Sequence, residues 1–489
     1  MDELAADHPN LSMSEAVDGL RTGRWTSVEL TEVLLARIER HNPTINAVVI
    51  VDAERARADA AAIDTRRAAG ETLGALAGLP MTLKDTWETA GLRTTAGAPA
   101  FAEYVPETDA DIVAAIRKAD GVVIGKTNTP LFAGDHQTYN ELFGTTENPW
   151  MTGRTAGGSS GGAGAAIAAG MTWAEVGSDI GASIRLPAHM NGVFGLKPTF
   201  DVVPLRGHIP GPPGTVGPGD LAVAGPMGRS IDDLELLLDV LLDGVDLHGV
   251  PGARLIDSGP VDVGGLRVGV WADDELAPVQ RHIVDEIERV TGSLAAAGAT
   301  IDDAIRPAGG SDRLHDIYLR LLMSVMGADM PPEVRDLLRA VADGADPDDT
   351  SDAVRQARYM LMDHRTWMSA DEARHKAMRA WADLFGEVDV VIAPAAPRTA
   401  FPHTIELGYT DRTLDIDGVE RPYSSILFWA GIATMPLLPS VVVPVGRDAE
   451  GLPCGVQLIG PAYGDRRLLQ IARTICATVG LAFEAPPLD

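Results

Sequence analysis

Apolar and polar positions along the chain repeat with two periods, and each period predicts one kind of element. Helical spacing predicts helices over residues 27–41, 53–69, 109–119, 231–242, 278–297 and 466–479. Short apolar runs predict strands over residues 79–83, 121–125, 266–271, 388–394, 436–445 and 452–459. The first helix is expected to stop at Asn42-Pro43. Because strands and helices alternate, the pattern indicates an α/β layered fold.

Residues 309–386 follow a different pattern, mostly helical and rich in methionine, leucine and charge. Because the strand-like run 388–394 resumes the alternation, we expect a helical insertion or lid that contributes to the substrate pocket, within one domain of residues 1–489. Its larger apolar side chains are expected in the core, and any that line a pocket would favour an apolar acyl or aryl group. These are Met323, Met326, Met360, Met362 and Trp367.

Composition narrows the class of protein without identifying it. The net charge of −29 argues against nucleic-acid binding, which needs a basic surface, and disfavours anionic membranes. Two cysteines cannot build a disulfide framework, which favours a reducing compartment. The acidic N-terminus does not resemble a secretory signal, so a cytoplasmic location is expected. No cluster of histidine, cysteine and aspartate residues has metal-ligand spacing, so no metal is expected.

The chemistry concentrates in residues 155–185, where Ser159, Ser160 and Ser183 lie in glycine-rich backbone. Glycine lets main-chain N–H groups come close to a ligand, which a reacting carbonyl needs more than a packing segment does. No lysine follows the glycines as a phosphate loop requires. Ile167 occupies the third glycine position of a dinucleotide fingerprint. A glycine-rich linker between helices remains an alternative.

A nucleophile elbow built on Ser160 is a second alternative, since residues 158–162 fit Gly-x-Ser-x-Gly. That elbow must follow a strand, and residues 150–156 have poor strand character. It also needs an acid and a histidine further along the chain, for which the candidates have no fixed spacing. These are His208, His364, His375 and His403.

The same segment resembles the amidase signature family. The resemblance rests on several motifs that occur in the family's order, and strong matches span about residues 78–230 and the last 50 or so. The motifs are residues 125–130, 143–149, 157–162, 177–187, 195–199, 225–229 and 451–460. The resemblance implies an amidase-signature fold, in which a large twisted mixed β-sheet is covered by helices on both faces.

The resemblance also implies a Ser-Ser-Lys triad. Ser183 matches the nucleophile, Ser159 the bridging serine and Lys84 the base, and their separations of 75 and 24 residues agree with the family. It further implies a cis peptide between Gly158 and Ser159. A serine hydroxyl is a weak nucleophile until a base removes its proton, and lysine serves only when it is neutral. Burial or a positive neighbour would have to lower the pKa of Lys84.

Other residues are expected in supporting roles. The developing oxyanion needs hydrogen-bond donors, and a glycine-containing turn can point several main-chain N–H groups at one position. The candidates are the main-chain N–H groups of Ile180, Gly181, Ala182 and Ser183. Ala182 replaces the family's usual glycine, and its methyl group is expected to crowd the carbonyl pocket slightly. The resemblance places the main chain of Ala133 on the leaving-group side. Further expectations are Ser160 as a hydrogen-bond partner, Asp179 with Arg185 as a structural ion pair, and His136, Gln137 and Tyr139 as possible pocket residues.

Taken with this resemblance, the sequence predicts a cofactor-independent amidase that acts on a small carboxylic amide through an acyl-enzyme. Carbamates and esters are plausible substrates because the same tetrahedral chemistry serves them. We expect a monomer or homodimer. A glutamine-hydrolysing subunit of a tRNA amidotransferase is the alternative enzyme, which the acidic charge and apolar lid disfavour. A non-enzymatic scaffold is the remaining alternative, against which the intact Lys84, Ser159 and Ser183 argue.

Overall fold

The computed structural model describes residues 10–211 and 213–488. Its strands are β1 Val48–Val51, β2 Pro80–Lys84, β3 Val122–Thr127, β4 Tyr139–Asn140, β5 Gly144–Thr145, β6 Glu147–Asn148, β7 Met151–Thr155, β8 Glu175–Asp179, β9 Phe194–Lys197, β10 Val223–Gly228, β11 Arg267–Val270, β12 Thr300–Asp302, β13 Val390–Pro394, β14 Thr413–Ile416, β15 Val419–Pro422, β16 Ser440–Arg447 and β17 Pro453–Ile459. Its α-helices are α1 Met13–Thr22, α2 Ser27–Ile45, α3 Ala53–Ala68, α4 Asp111–Lys118, α5 Gly161–Ala168, α6 Arg185–Asn191, α7 Ile231–Leu242, α8 Arg281–Ala296, α9 Ser311–Gly327, α10 Pro332–Gly344, α11 Asp352–Met360, α12 His364–Glu387, α13 Ile426–Thr434 and α14 Asp465–Val479.

Eight strands form one large mixed sheet in the order β12-β11-β13-β17-β16-β9-β10-β8. Strand β11 pairs in parallel with β12 and β13, and the other neighbours are antiparallel. Helices cover both faces, as consecutive residues of β16 show. Val441 and Val443 pack into a core with residues of α7, α8 and α14, whereas Val442 packs with residues of α5 and α6. The α/β fold with a large mixed sheet is therefore confirmed.

A smaller sheet of three strands, in the order β1-β3-β2, brings the end of β2 to the edge of the large sheet. Strand β2 is parallel to β3 and also contacts β8. The main-chain N–H of Thr82 donates to Thr172 Oγ1 at 3.2 Å, and Trp87 Nε1 donates to the carbonyl of Val176 at 2.8 Å. These bonds hold the last residue of β2, Lys84, beside β8.

Two local expectations are wrong. Helix α2 does not stop at Pro43 but continues to Ile45. A proline in the last turn removes only one intrahelical N–H bond. The helix ends instead at Asn46, whose left-handed backbone and N–H bond to the carbonyl of Asn42 close it. The segment 150–156, expected to be a poor strand, contains β7, which pairs with β6 and donates from Thr155 N to the carbonyl of Phe401.

The segment 309–386 contains the four helices α9 to α12. Helix α9 packs against α13, α11 and α12, and buries Tyr318 and Leu321 completely. Helix α10 is different, because none of its residues is buried. Across residues 10–211 and 213–488, every helix is too short or too polar to cross a lipid bilayer.

Candidate active site

Lys84 lies at the centre of a cluster of serine hydroxyls. Its side chain is fully buried, and Nζ lies 2.7 Å from Ser159 Oγ, 3.0 Å from Ser160 Oγ and 2.9 Å from Ser178 Oγ. An ammonium group donates to all three oxygens, whereas a neutral amine keeps one lone pair for a serine proton. The structure therefore brings together the expected lysine and two of the expected serines. It adds Ser178, which the sequence analysis missed.

A buried carboxyl group lies beneath this cluster. Thr82 precedes Lys84 by two residues, so both side chains lie on the same face of β2. Thr82 Oγ1 donates to Glu175 Oε1 at 2.6 Å, and Thr127 Oγ1 donates to Glu175 Oε2 at 2.9 Å. Glu175 thus ties β2 and β3 to β8 and holds the lysine-bearing strand against the serine-bearing one.

Burial makes a neutral lysine accessible near pH 7. It lowers the pKa of Lys84 to about 7, although the negative charges of Glu175 and Asp179 act in the opposite direction. Burial also raises the pKa of Glu175 to about 7, against the hydrogen bonds of its two threonines and the charges of Lys84 and Lys126. The pKa of the amine therefore lies where a general base works well.

The first serine turn has the backbone that the resemblance implied. The peptide between Gly158 and Ser159 is cis, and Gly157 has a φ of +77°. A side chain at Gly158 would clash with the neighbouring loop, since a Cβ there would lie 2.5 Å from the carbonyl oxygen of Asp135. Glycine is required because the main chain of residues 135–137 packs directly on the serine turn. Helix α5 begins immediately after Ser160.

Ser183 lies next to this turn, but its hydroxyl makes no hydrogen bond within residues 10–211 and 213–488. The residue is 6% exposed. Its link to the serine cluster is through the main chain, since Ser160 N donates to the carbonyl of Ser183 at 3.2 Å. The side-chain hydrogen-bonded chain therefore runs from Lys84 to Ser159 and stops one step short of Ser183.

Asp179 and Arg185 form a buried ion pair that organises the loop carrying Ser183. Arg185 Nη2 lies 3.0 Å from Asp179 Oδ1, and both side chains are almost fully buried. Burial alone would raise the pKa of Asp179, but the charge and hydrogen bonds of Arg185 hold it below its ordinary value. The same carboxylate accepts from the N–H groups of Ala182 at 3.0 Å and Ile184 at 3.1 Å. The pair has the structural arrangement that the sequence analysis expected.

Three N–H groups of this loop have no acceptor in the described part of the chain: those of Ile180, Gly181 and Ser183. The N–H of Ala182, expected in this set, is not free because Asp179 accepts it. The Ala182 methyl group, expected to crowd the carbonyl pocket, is fully buried in the apolar cluster around α9, and the residue has a φ of +72°. Three of the four N–H groups named in the sequence analysis are therefore without an acceptor among the described residues, and that of Ala182 is not.

The loop that contains Ala133 is held by a second buried charge pair. Arg412 Nη1 lies 2.6 Å from Asp135 Oδ2, and the same carboxylate accepts from Tyr139 at 3.0 Å and Tyr423 at 2.9 Å. Tyr139 is therefore part of this network. Of the other expected pocket residues, Gln137 Nε2 donates to Thr404 Oγ1 at 3.0 Å. Ala133 has a φ of +57° and is half-buried, in a turn whose other residues are exposed.

His136 and Tyr318 reach the main chain of the Ser183 loop. His136 Nε2 lies 3.0 Å from the carbonyl of Gly181, and Tyr318 donates from its hydroxyl to the carbonyl of Ile180 at 2.9 Å. Burial lowers the pKa of His136, so its ring is neutral at pH 7. Because a carbonyl only accepts, Nε2 must carry the proton. Sequence reasoning missed Tyr318, which lies in the helical insertion without any local motif.

The elbow alternative finds no support in the geometry. Ser160 Oγ lies 3.0 Å from Lys84 Nζ, and each candidate histidine has other neighbours. His208 packs on Trp87, His364 stacks on Trp367, His375 lies near Asp371, and His403 Nε2 lies 3.2 Å from Glu147 Oε2. A strand does precede the glycines, but no histidine of the described residues hydrogen-bonds to Ser160.

Comparisons with known proteins agree on one family. The sequence profile of the Amidase family matches residues 29–469. The chain is 35% identical to a subunit of the Glutamyl-tRNA(Gln) amidotransferase of Roseiflexus sp., covering 94% of this chain and 95% of that protein. It is 33% identical to Indoleacetamide hydrolase of Bradyrhizobium diazoefficiens, covering 95% and 86%. The crystal structure of a bacterial aryl acylamidase of the amidase signature family superposes with a TM-score of 0.80 at 24% identity, covering 96% of both chains, which supports the fold.

Proposed function

The chain belongs to the amidase family of amide-hydrolysing enzymes, and we propose that it hydrolyses a small, neutral carboxylic amide through an acyl-enzyme on Ser183. One observation carries the proposal: a buried lysine with a pKa of about 7 that contacts the serine pair beside Ser183. A packing lysine has no need of three serine hydroxyls around its amine. A base that must be neutral at pH 7 needs this burial.

The proposed reaction moves one proton along the serine relay. Neutral Lys84 accepts the proton of Ser159 Oγ as Ser159 takes that of Ser183, whose oxygen bonds to the acyl carbon. The relay then returns the proton to the leaving nitrogen as the C–N bond breaks. Water repeats the same steps and releases the carboxylic acid. The Ser183 hydroxyl has to turn toward Ser159 when substrate binds, and such tightening is common in serine enzymes.

The three unpaired N–H groups of Ile180, Gly181 and Ser183 are proposed to bind the oxyanion. Such donors are effective because they are already oriented and need no reorganisation as charge develops. The Asp179 carboxylate supports this geometry by taking the N–H of Ala182 away from the site. In other enzymes the loss of one such donor lowers kcat by about 10²–10³-fold.

The surroundings of Gly181 favour a neutral and largely apolar substrate. A Cβ on Gly181 would lie 3.4 Å from Leu427 Cδ2 and 3.7 Å from both His136 Nε2 and the Tyr318 hydroxyl oxygen. The histidine is neutral, and the charges nearby are already paired, Asp135 with Arg412 and Asp179 with Arg185. A substrate with its own ammonium and carboxylate groups would lack counter-charges here. The Indoleacetamide hydrolase relative makes an arylacetamide the first substrate to test.

Glutamine hydrolysis is the second candidate function. The observation that favours it is the 35% identity to the Glutamyl-tRNA(Gln) amidotransferase relative over nearly the full length of both chains. Glutamine hydrolysis requires two opposite charges in the site, one to bind the carboxylate and one to bind the ammonium group of glutamine. Turnover of free glutamine by the purified chain, or retention of a second protein during purification, would support this candidate.

Ammonia release from a panel of amides separates the two candidates. We expect indole-3-acetamide and phenylacetamide to exceed glutamine at least 100-fold in kcat/KM, because an unpaired buried charge costs several kcal/mol. A phenyl ester and a carbamate of the same acyl size test whether amides are the main substrates. A preference for glutamine would overturn the proposed substrate class.

Variants test the assignment of the residues. Ser183→Ala and Lys84→Met should each lower amide turnover by at least 10³-fold. Lys118→Met is the matched control, because Lys118 is exposed and pairs with Asp243. Full activity in Lys84→Met would exclude Lys84 as the base.

A further inference from the structure

Every carbonyl of the loop 180–184 has a protein partner, whereas only some of its N–H groups do. The carbonyl of Ile180 accepts from Tyr318 at 2.9 Å, and that of Gly181 from His136 at 3.0 Å. The carbonyls of Ala182, Ser183 and Ile184 accept from main-chain N–H groups of residues 186, 160 and 188. Two of the five carbonyls of the loop are therefore held by side chains from outside it, those of Tyr318 and His136.

The direction of one free N–H group depends on Tyr318. In a trans peptide the C=O and the following N–H point in opposite directions. The bond between Ile180 and Gly181 is trans, so the hydroxyl that holds the carbonyl of Ile180 also sets the direction of the Gly181 N–H. The Ser183 N–H is set instead by the carbonyl of Ala182, which the N–H of Leu186 holds at 2.7 Å.

His136 acts on the next peptide, and its position is less critical. The carbonyl of Gly181 is held by His136, while the N–H of the same peptide, on Ala182, is held by Asp179 at 3.0 Å. That peptide therefore has an anchor at both ends. Among residues 10–211 and 213–488, the peptide of Ile180 and Gly181 is anchored at its carbonyl alone, by the Tyr318 hydroxyl.

Packing fixes the ring of Tyr318 in this position. The side chain is fully buried, and Gly431 of α13 lies against the ring. A Cβ on Gly431 would come within 2.5 Å of Tyr318 Cδ1, so any larger residue there would displace the ring. The tyrosine comes from α9, within the segment 309–386 that the sequence presents as an insertion or lid.

We propose that Tyr318 is a positioning residue for the reaction, whose hydroxyl orients the N–H of Gly181 toward the oxyanion. This inference rests on the proposed function, because it takes Ser183 as the nucleophile. It gives the helical insertion a role in transition-state stabilisation besides covering the site. Tyr318 touches the loop main chain and acts on the reacting atoms only through Gly181.

The test is the rate at which a fluorophosphonate labels Ser183, measured by mass spectrometry of the whole protein and its peptides from pH 6 to pH 9. Phosphonylation places negative charge on an oxygen that the same N–H groups bind, and it requires no knowledge of the substrate. Tyr318→Phe keeps the ring and its packing but removes the hydroxyl. We expect the plateau rate to fall by about 10- to 100-fold. The upper value is the smallest effect that the complete loss of one oxyanion donor has in other enzymes. The midpoint of the pH profile, which Lys84 sets, should not move.

Control variants separate this effect from a general disturbance. Tyr359→Phe removes a hydroxyl from the same insertion, where it bonds to Asp316, and should label at the wild-type rate. Gly431→Ala displaces the Tyr318 ring without removing its hydroxyl and should slow labelling in the same way as Tyr318→Phe. Wild-type labelling of Tyr318→Phe, or a loss with a shifted pH midpoint, would overturn the positioning role. Absence of label on Ser183 in the wild type would overturn the proposed function itself.

Discussion

We expect the difference in stability between the Lys84→Met protein and the wild type to depend on pH. As the pH rises from 8 to 10, the variant should become less stable relative to the wild type. Lys84 is fully buried, and its pKa is lowered by burial to about 7 in the folded protein. In an unfolded chain the pKa of lysine is about 10.4. Between these values the unfolded chain binds a proton that the folded protein does not, so wild-type stability rises with pH in this window.

The size of this effect follows from the two pKa values. Between pH 8 and pH 10, the lysine contributes a rise of about 2–3 kcal/mol to the free energy of unfolding of the wild type. Methionine has no proton to bind, so the Lys84→Met protein lacks this rise. The stability of the variant relative to the wild type should therefore fall by about 2–3 kcal/mol from pH 8 to pH 10.

Equilibrium urea denaturation of both proteins at pH 8 and pH 10 measures this difference, because titrating groups distant from Lys84 contribute equally to both and cancel. Lys118→Met is the matched control. Its lysine is exposed on α4, and its stability relative to the wild type should differ by less than about 0.5 kcal/mol at both pH values. A Lys84→Met difference that does not depend on pH would mean that Lys84 keeps an ordinary pKa. The lysine would then be protonated at pH 7 and unable to act as the base.

Three further substitutions test the surroundings of the serines. Glu175→Gln removes a negative charge that raises the pKa of Lys84, so the acid limb of the pH profile of kcat/KM should move to lower pH. Movement to higher pH would contradict the electrostatic interaction between Glu175 and Lys84. Asp179→Asn leaves Arg185 buried without its counter-charge, so the free energy of unfolding measured in urea should fall by about 3–5 kcal/mol. A fall of less than about 1 kcal/mol would argue against a structural role for this ion pair. Ala182→Gly relieves a left-handed alanine but loses a buried methyl, so unfolding should change by less than about 1 kcal/mol and kcat/KM by less than about threefold. A tenfold rise in kcat/KM would instead mean that the methyl crowds the carbonyl pocket.

The resemblance to the amidase signature family assigned the roles of Lys84, Ser159 and Ser183, and each of them also lies at a local feature that the residues alone reveal. Lys84 ends a short apolar strand, and the two serines lie in glycine-rich turns. The close approach of the main chain at Gly158 and the left-handed φ at Gly157 explain why those turns need glycine. A glycine-serine turn can be recognised from a few consecutive residues. The hydrophobic periods of the neighbouring strands and helices can also be read from short segments.

The partners of these residues could not be predicted because their contacts cross long stretches of chain. Glu175 binds Thr82 and Thr127 across 93 and 48 residues, and Tyr318 reaches Ile180 across 138 residues. The misjudged strand β7 has the same explanation, since its N–H bond at Thr155 goes to Phe401. Such contacts depend on how sheets and helices pack, which residue spacing does not reveal.

Labelling of the wild type and Lys84→Met with a fluorophosphonate, followed by peptide mapping across pH 5 to pH 9, tests the central claim most directly. The proposed relay requires the label on Ser183, a rate that falls as the pH drops below about 7, and a loss of at least about 10³-fold in Lys84→Met. Label on Ser160, or equally fast labelling of Ser183 without the lysine, would contradict the account.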